Sequence, residues 1–237
     1  LARITSDNAQ AELYLTDVLG IARSDGRRVG THVVDDLWQT EGVNDRVQLA
    51  RMDAEINRRI CERWMRAGVT IVSPESVRID RDVDLAQDVT LLPGTHLQGA
   101  TTVASGATIG PDTTLTDVEV GAGATITRAV GSLAVVGEGA TVGPFAYLRP
   151  GTRMAAGSKI GTFVESKNSV IGEGAKVPHL TYAGDADIDA GANIGAGTIF
   201  ANYDGVAKHR THVGRDTFVG SNSVLVAPVD LADGSYV

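Results

Sequence analysis

The chain has 237 residues, and its 21 Lys and Arg against 29 Asp and Glu give a formal net charge of -8. That balance argues against nucleic acid as a partner, because a phosphate backbone is met by a basic face. No run of 18 apolar residues exists to cross a membrane as a helix, and the single cysteine, Cys61, cannot staple the fold and suits a reducing, cytoplasmic setting. The opening Leu1-Ala2-Arg3 has neither an initiator methionine nor a signal-like apolar core, so the chain reads as a piece of a longer one. With 28 glycines and 5% aromatics it cannot fill a core with large rings and needs thin layers joined by many turns.

Residues 1–70 differ in texture from the rest. Ser6-Asp7 can cap a helix running to about Arg23, with Leu15, Val18, Leu19 and Ala22 at helical spacing. Asp25-Gly26 signals a turn, and Arg28 to Val34 reads as a short strand. A second helix is expected from an Asn44 N-cap to about Ala67, before Gly68, with a stripe of Leu49, Met52, Ile56, Ile60 and Trp64. Arg51, Arg58, Arg59, Arg63 and Arg66 interleave with Asp53, Glu55 and Glu62, which predicts a solvated, ion-paired face, and Cys61 reads as a small core hydrophobe. Two helices and a strand make a poor free-standing domain; the segment resembles a domain's tail joined by a helical arm to the remainder of the chain.

From Ile71 a period of six takes over. Aliphatics recur at Ile71, Val77, Val83 and Val89, at Leu97, Val103, Ile109 and Leu115, and at Val130, Val136, Val142, Leu148, Met154 and Ile160. They return at Ile171, Val177, Ile188, Ile194 and Phe200, then at Val213, Val219, Leu225, Leu231 and Val237. Neither a helix nor simple alternation produces this spacing; a parallel β-helix does. Three six-residue sides make one triangular coil, coils stack about 4.8 Å apart, and each aliphatic points inward. Residues 71–237 predict roughly nine coils and a prism about 40 Å long. The fold is therefore mainly β, with a short α-helical segment and a linker helix before the solenoid. Repeats of this class wind left-handed, against the usual crossover rule.

The period slips between Leu115 and Val120, around Ile126 to Val130, near Ser166 to Ile171 and between Ala183 and Ile188, which suggests one or two residues bulging out at corners. The last interruption, Ala201 to His212, is the most polar, with Asn202, Tyr203, Asp204, Lys208, His209, Arg210 and His212. Loops on a solenoid tend to carry its chemistry, so a site is expected there.

Five motifs carry a resemblance. They are Gly143-Pro144-Phe145-Ala146-Tyr147-Leu148-Arg149-Pro150-Gly151, Phe163-Val164-Glu165-Ser166-Lys167, His179-Leu180-Thr181-Tyr182-Ala183-Gly184-Asp185, Asn193-Ile194-Gly195-Ala196-Gly197-Thr198 and Ala201-Asn202-Tyr203-Asp204-Gly205. In that order and spacing they resemble the bacterial bifunctional enzymes that are both glucosamine-1-phosphate N-acetyltransferase and N-acetylglucosamine-1-phosphate uridylyltransferase. Tyr14-Leu15-Thr16-Asp17 and Glu41-Gly42-Val43-Asn44 are similar to the end of that family's nucleotidyltransferase domain. The resemblance implies a nucleotidyltransferase remnant over 1–43, a linker helix over 44–70 and an acetyltransferase β-helix over 71–237, stopping in mid-repeat at Val237.

The resemblance also implies roles. His179 matches the base that takes the proton of the attacking amine, a task suited to an imidazole and worth roughly 10²–10⁴ in rate. Arg149 and Lys167 match the sugar-phosphate contacts, where fixed positive charge and a planar fork suit a phosphomonoester. Tyr182 and Asn193 match sugar contacts. Ala196, Asn202, Tyr203 and Ser221 match acetyl-coenzyme A contacts, and Lys208 a residue of cofactor or substrate binding. Asp185 and Glu165 are open between orienting partners and a structural role. Asn44 stands where the family contributes a ligand to the Mg²⁺ of uridylyl transfer, its partner aspartate lying outside this chain, and a plain helix cap is the competing reading. His32, His96, His209 and His212 read as surface or loop histidines.

The implied reaction is acetyl transfer from acetyl-coenzyme A to glucosamine 1-phosphate, feeding UDP-N-acetylglucosamine and peptidoglycan synthesis in the cytoplasm, by a homotrimer with active sites between prisms. Two alternatives stand beside it. A hexapeptide-repeat acyltransferase could act on another amine or hydroxyl, although the Arg149/Lys167 pair favours a phosphorylated acceptor. A β-helix hydrolyase or plain scaffold is the other, but the scattered histidines do not offer the three ligands of a zinc site, and a scaffold leaves the ordered polar motifs unexplained.

Overall fold

The computed structural model describes residues 2–237 and contains two α-helices, α1 (Asp17–Ser24) and α2 (Arg46–Arg66), followed by twenty-seven short strands. Contacts divide the chain into two compact units, 1–52 and 53–237.

In the first unit α1 begins at Asp17, later than the Ser6-Asp7 signal suggests. Asn8 spends its side chain on turns instead, its amide donating to the Glu12 carbonyl and its oxygen accepting from the Gln10 and Glu12 N–H groups. The strand expected over 28–34 does not form; no neighbouring strand offers it a ladder. No described residue up to Met52 is buried, so this unit has no core of its own. Asp45, not Asn44, caps α2: its carboxylate accepts from the Gln48 N–H at 2.7 Å, while the Gln48 side chain accepts from the Asn44 N–H. No described helix is long and apolar enough to cross a membrane.

The second unit is a left-handed parallel β-helix of three nine-stranded faces. Every ladder is parallel and consecutive in coil order, so each face is a column of strands one coil apart. Large apolar side chains fill the prism along its length, among them Leu91, Leu97, Ile109, Leu115, Ile126, Leu148, Ile160, Ile171, Ile188, Ile194 and the aromatic Phe200, all wholly buried. A second inward row lies two residues before each of these and takes Val77, Val83, Val89, Thr95, Thr101 and Ala107. Its hydroxyls close the corners: Thr95 Oγ1 donates to the Leu92 carbonyl at 2.7 Å, and Ser169 Oγ to Lys167 and, one coil on, Ala183. The hydroxyls of Thr95 and Ser169 are thereby satisfied, while Thr211 Oγ1, in the same row two residues before Val213, is buried without a hydrogen-bond partner among the described residues.

Two expectations need correction. Val130 is half exposed, and its neighbour Gly131 takes the inward register between Leu115 and Leu148; Val237 is also exposed. The slips are not outward bulges. The sides after Leu115, Ile126, Ser166 and Ala183 are one residue shorter, as the unbroken registers show, and a left-handed residue (Asp117, Arg128, Asn168, Asp185) turns each corner.

The part of α2 within this unit packs on the first coil. Cys61 is buried, Ile60 and Trp64 lie against the core, and the Asn57 side chain donates to the Val77 carbonyl while accepting from the Ile79 N–H. Ile56 and, in the first unit, Leu49 stay exposed, so the buried face is centred on Cys61 rather than on the expected stripe. The ion-paired face forms: Glu55 accepts from Arg58 and Arg59, which hold its carboxyl down to about 2.

Candidate functional site

One coil is longer than the rest. Seventeen residues separate Lys176 from its partner Asn193, but twenty-five separate Asn193 from Phe218. The excess is the polar loop after Asn202. It folds on itself: Tyr203 bridges Lys208, Asp204 accepts from the Val206 and Ala207 N–H groups at 2.8 and 2.7 Å, and His209 Nε2 lies 2.8 Å from Asp204. The Ala207 amide, then the His209 ring and the Val206 amide, hold the Asp204 carboxyl well below the usual carboxylate range. Arg210 pairs with Asp187 and donates to the Asn168 carbonyl, fastening the loop's far end.

Beneath this loop lies the outward side of the second face. Its strands Ala146–Leu148, Glu165–Lys167, Tyr182–Gly184 and Ile199–Ala201 are in register. Arg149 and Lys167 occupy the same rung position on consecutive coils, because Leu148 pairs with Ser166. The Arg149 guanidinium donates to Glu165 at 2.7 Å, which raises its pKa further. The Lys208 ammonium stands against that of Lys167 and, with desolvation, pulls the latter's pKa below the ordinary lysine value. Two ammoniums facing each other beside a guanidinium are the arrangement an anion would relieve.

Tyr182 lies on the same side, and its phenol covers Gly184, where a Cβ would stand 2.3 Å from Oη. The Asn202 amide approaches Tyr182 Oη at 3.4 Å. Sequence reasoning left undecided the residue at the centre of these contacts. Asp185 is 6% exposed and accepts from Asn168 Nδ2 at 2.6 Å and Asn202 Nδ2 at 2.5 Å. Burial pushes its carboxyl up, but the two amides with Lys167 and Lys208 outweigh that and hold it low. The signal was present: 168, 185 and 202 are seventeen apart, one coil each.

His179 ends the first-face strand Lys176–His179 at the corner before Tyr182. It is exposed, and its imidazole makes no hydrogen bond or ion pair among the described residues, leaving a ring nitrogen open to a ligand. Its carbonyl accepts from the Gly197 N–H, and the Asn222 N–H donates to the Ala196 carbonyl. Ala196 and Ser221 therefore stack over His179 on the next two coils. Gly195 permits this close stacking, since a Cβ there would lie 2.5 Å from Ser221 N.

The fold thus gathers Arg149, Lys167, Tyr182, Asn202 and Lys208 on one face and His179, Ala196 and Ser221 at the neighbouring corner. Tyr203 is exposed in the loop, its hydroxyl donating to the Gly205 carbonyl. Asn193 sits apart, on the first face between Lys176 and Phe218. Among the described residues no group of three His, Cys, Asp or Glu is arranged to hold a metal ion, and the aspartate expected to share a Mg²⁺ with Asn44 lies outside this chain.

No family model matches the chain. Among curated proteins it is 59% identical over 236 residues to the bifunctional protein GlmU of Kineococcus radiotolerans and, equally, to that of Pseudarthrobacter chlorophenolicus, and 56% identical to that of Mycolicibacterium vanbaalenii. Each alignment covers all of this chain and 48% of the relative, so the chain spans about half the length of the curated relatives it matches. Among solved structures, the UDP-N-acetylglucosamine acyltransferase of Francisella novicida has the same fold, with a TM-score of 0.58 at 15% identity over 66% of this chain and 62% of that one.

Proposed function

We propose that the chain, 59% identical over its whole length to bifunctional GlmU proteins, is part of such a protein and transfers the acetyl group of acetyl-coenzyme A to the amine of glucosamine 1-phosphate. The observation that carries this reading is the cation cluster of Arg149, Lys167 and Lys208 on the face beside an exposed, unengaged His179. The cluster suits a phosphomonoester, and Tyr182 beside it suits a sugar hydroxyl without adding charge; Asn193, on the first face, is not part of this cluster.

His179 takes the proton that the amine must lose as its nitrogen attacks the thioester carbonyl. The C–S bond then breaks, the coenzyme A thiolate leaves and is protonated, and the amide remains. Ala196, Asn202, Tyr203 and Ser221 are the coenzyme contacts in this reading, Ala196 through its main chain or by leaving room. Acetyl transfer is assigned to the β-helix of residues 71–237, with 44–70 as its linker and 1–43 as part of a nucleotidyltransferase domain. The setting is cytoplasmic.

A homotrimer completes the proposal. Phe145, Phe163 and Leu180 form an exposed apolar ridge on three consecutive coils, the two phenyl rings stacked at 5.4 Å, and it ends on the residue after His179. Two further copies seated on such ridges would cover them and close the space around the imidazole.

The test is release of free coenzyme A by the full chain with glucosamine 1-phosphate or unphosphorylated glucosamine. His179→Ala should lower kcat by about 10²–10⁴ with KM little changed. Arg149→Ala and Lys167→Ala should erase the preference for the phosphorylated acceptor. An unchanged rate in the first variant sinks the base assignment, and equal use of both acceptors by the wild type sinks the phosphate anchor.

A further inference from the structure

Asn168, Asp185 and Asn202 stand at the same corner of three consecutive coils, and their side chains form a ladder. Asn168 Nδ2 donates to Asp185 Oδ1 from the coil before, and Asn202 Nδ2 donates to Asp185 Oδ2 from the coil after. A carboxylate is the only side chain of this length that accepts on both oxygens, so the central rung has to be Asp for both amides to donate inward.

The main chain of Asp185 engages the same loop from its other end. Its carbonyl accepts from the Thr211 N–H at 3.1 Å, where the chain returns to the solenoid, while its carboxylate holds Asn202, where the chain leaves. The His209 N–H closes the neck on the Asn202 carbonyl at 2.8 Å. Both ends of the loop carrying Tyr203 and Lys208 therefore meet at one residue, which sits in left-handed backbone at φ 51° and is almost wholly buried. A side chain with only a packing role would not need to be ionised beside two lysines at such a corner.

We infer that Asp185 is a positioning residue: through the Asn168–Asp185–Asn202 ladder it pins the loop and fixes Asn202, Tyr203 and Lys208 toward the ligands. The identity of those ligands rests on the reading above. Among the described residues Asp185 makes no hydrogen bond or ion pair with His179 or its strand, so its removal should act on binding more than on the chemical step.

The experiment compares the full wild-type chain with Asp185→Asn and with the exchange Asp185→Asn/Asn202→Asp. In the single variant the charge-assisted rung to Asn202 is lost: the amide at position 185 can meet Asn202 only with the latter turned over, and only as a neutral bond about half as strong. In the exchange the amide now at position 185 accepts from Asn168 and donates to the carboxylate now at position 202, restoring every rung. Limited trypsin digestion, read by mass spectrometry at Lys208 and Arg210, should run at least tenfold faster in Asp185→Asn and return to within threefold of wild type in the exchange. Steady-state kinetics of Asp185→Asn should show KM for acetyl-coenzyme A raised at least tenfold with kcat down less than threefold. Cleavage within twofold of wild type overturns the pin. Faster cleavage with an unmoved KM in an active enzyme overturns the positioning role. A wild type with no turnover on this substrate pair, but with the cleavage pattern as described, overturns the functional reading and leaves the pin supported.

Discussion

Gly184→Ala separates the proposed acceptor site from the stability of the solenoid. Gly184 and Tyr182 are two residues apart on one side of the strand Tyr182–Gly184, with the phenol folded across the glycine. An added Cβ would lie 2.3 Å from Tyr182 Oη and 2.5 Å from Cζ, whereas ordinary contact begins at 3.4 Å. Relieving 3.4 less 2.3 moves the ring tip by about 1 Å, and a displacement of that size in a positioned group costs up to ~10²-fold in rate. The backbone of Gly184 is not left-handed, and Ala in an extended strand restricts the unfolded chain by about 0.4–1 kcal/mol in favour of folding, offsetting the strain of moving a flexible ring. The expected result is a kcat/KM for glucosamine 1-phosphate reduced about 30–100-fold, with Tm within about 2 °C of wild type. In a Tyr182→Ala background the same substitution should be close to neutral, because the three atoms nearest the added Cβ, all of the Tyr182 phenol, are gone. A kcat/KM within twofold of wild type refutes a role for the phenol tip. A fall of more than ~10 °C in Tm refutes the claim that only the ring must yield.

His212 bridges coils through Asp230 at 2.7 Å and Asp189 at 3.1 Å, and these two carboxylates, Asp230 foremost, raise its pKa. The stabilisation is fully present below the ordinary histidine value near 6.5 and is lost as pH rises through the raised value. The Tm gap between wild type and His212→Gln should therefore be about 1–3 °C at pH 6 and close by pH 9, and a gap independent of pH would refute the ion-pair account. For the ridge, Phe163→Glu should convert the proposed trimer to monomer in light scattering; a trimer that persists excludes this surface from the interface.

The solenoid was legible because its repeat is a packing rule. An inward position every six residues is filled mostly by aliphatics, and the positions from Leu97 to Leu115 or Val136 to Ile160 say so without knowledge of the partner coil. Val130 was misread because a five-residue side moves the inward register to Gly131, and a glycine carries no hydrophobic signal. The strand expected over 28–34 failed for the opposite reason: its pattern was local, and a strand exists only where a ladder does. Of the site, the cations and His179 stood out as side chains whose chemistry is unusual on a solenoid face. Asp185 did not, because an acidic residue at a corner looks like any solvated turn until Asn168 and Asn202 are stacked on it.

The position of the long loop follows from these constraints. A coil side cannot accept extra residues without leaving the ladder, so an insertion must exit at a corner and return to the next rung. The corner after Ala201 is where the chain does this, and leaving there strips the second-to-third-face turn of the backbone bond that a shorter coil would make. Thr211 restores that bond to Asp185 only after the chain has gone out and back. The residue beneath the opening is then the one place where both loop ends can be tied to the rigid stack. A carboxylate at that place ties them and also sets a negative charge beside Lys167 and Lys208, whose mutual repulsion would otherwise lift the loop. Neutralising Asp185 should therefore be felt at the loop before it is felt at His179, the order of effects that proteolysis and the separation of KM from kcat resolve.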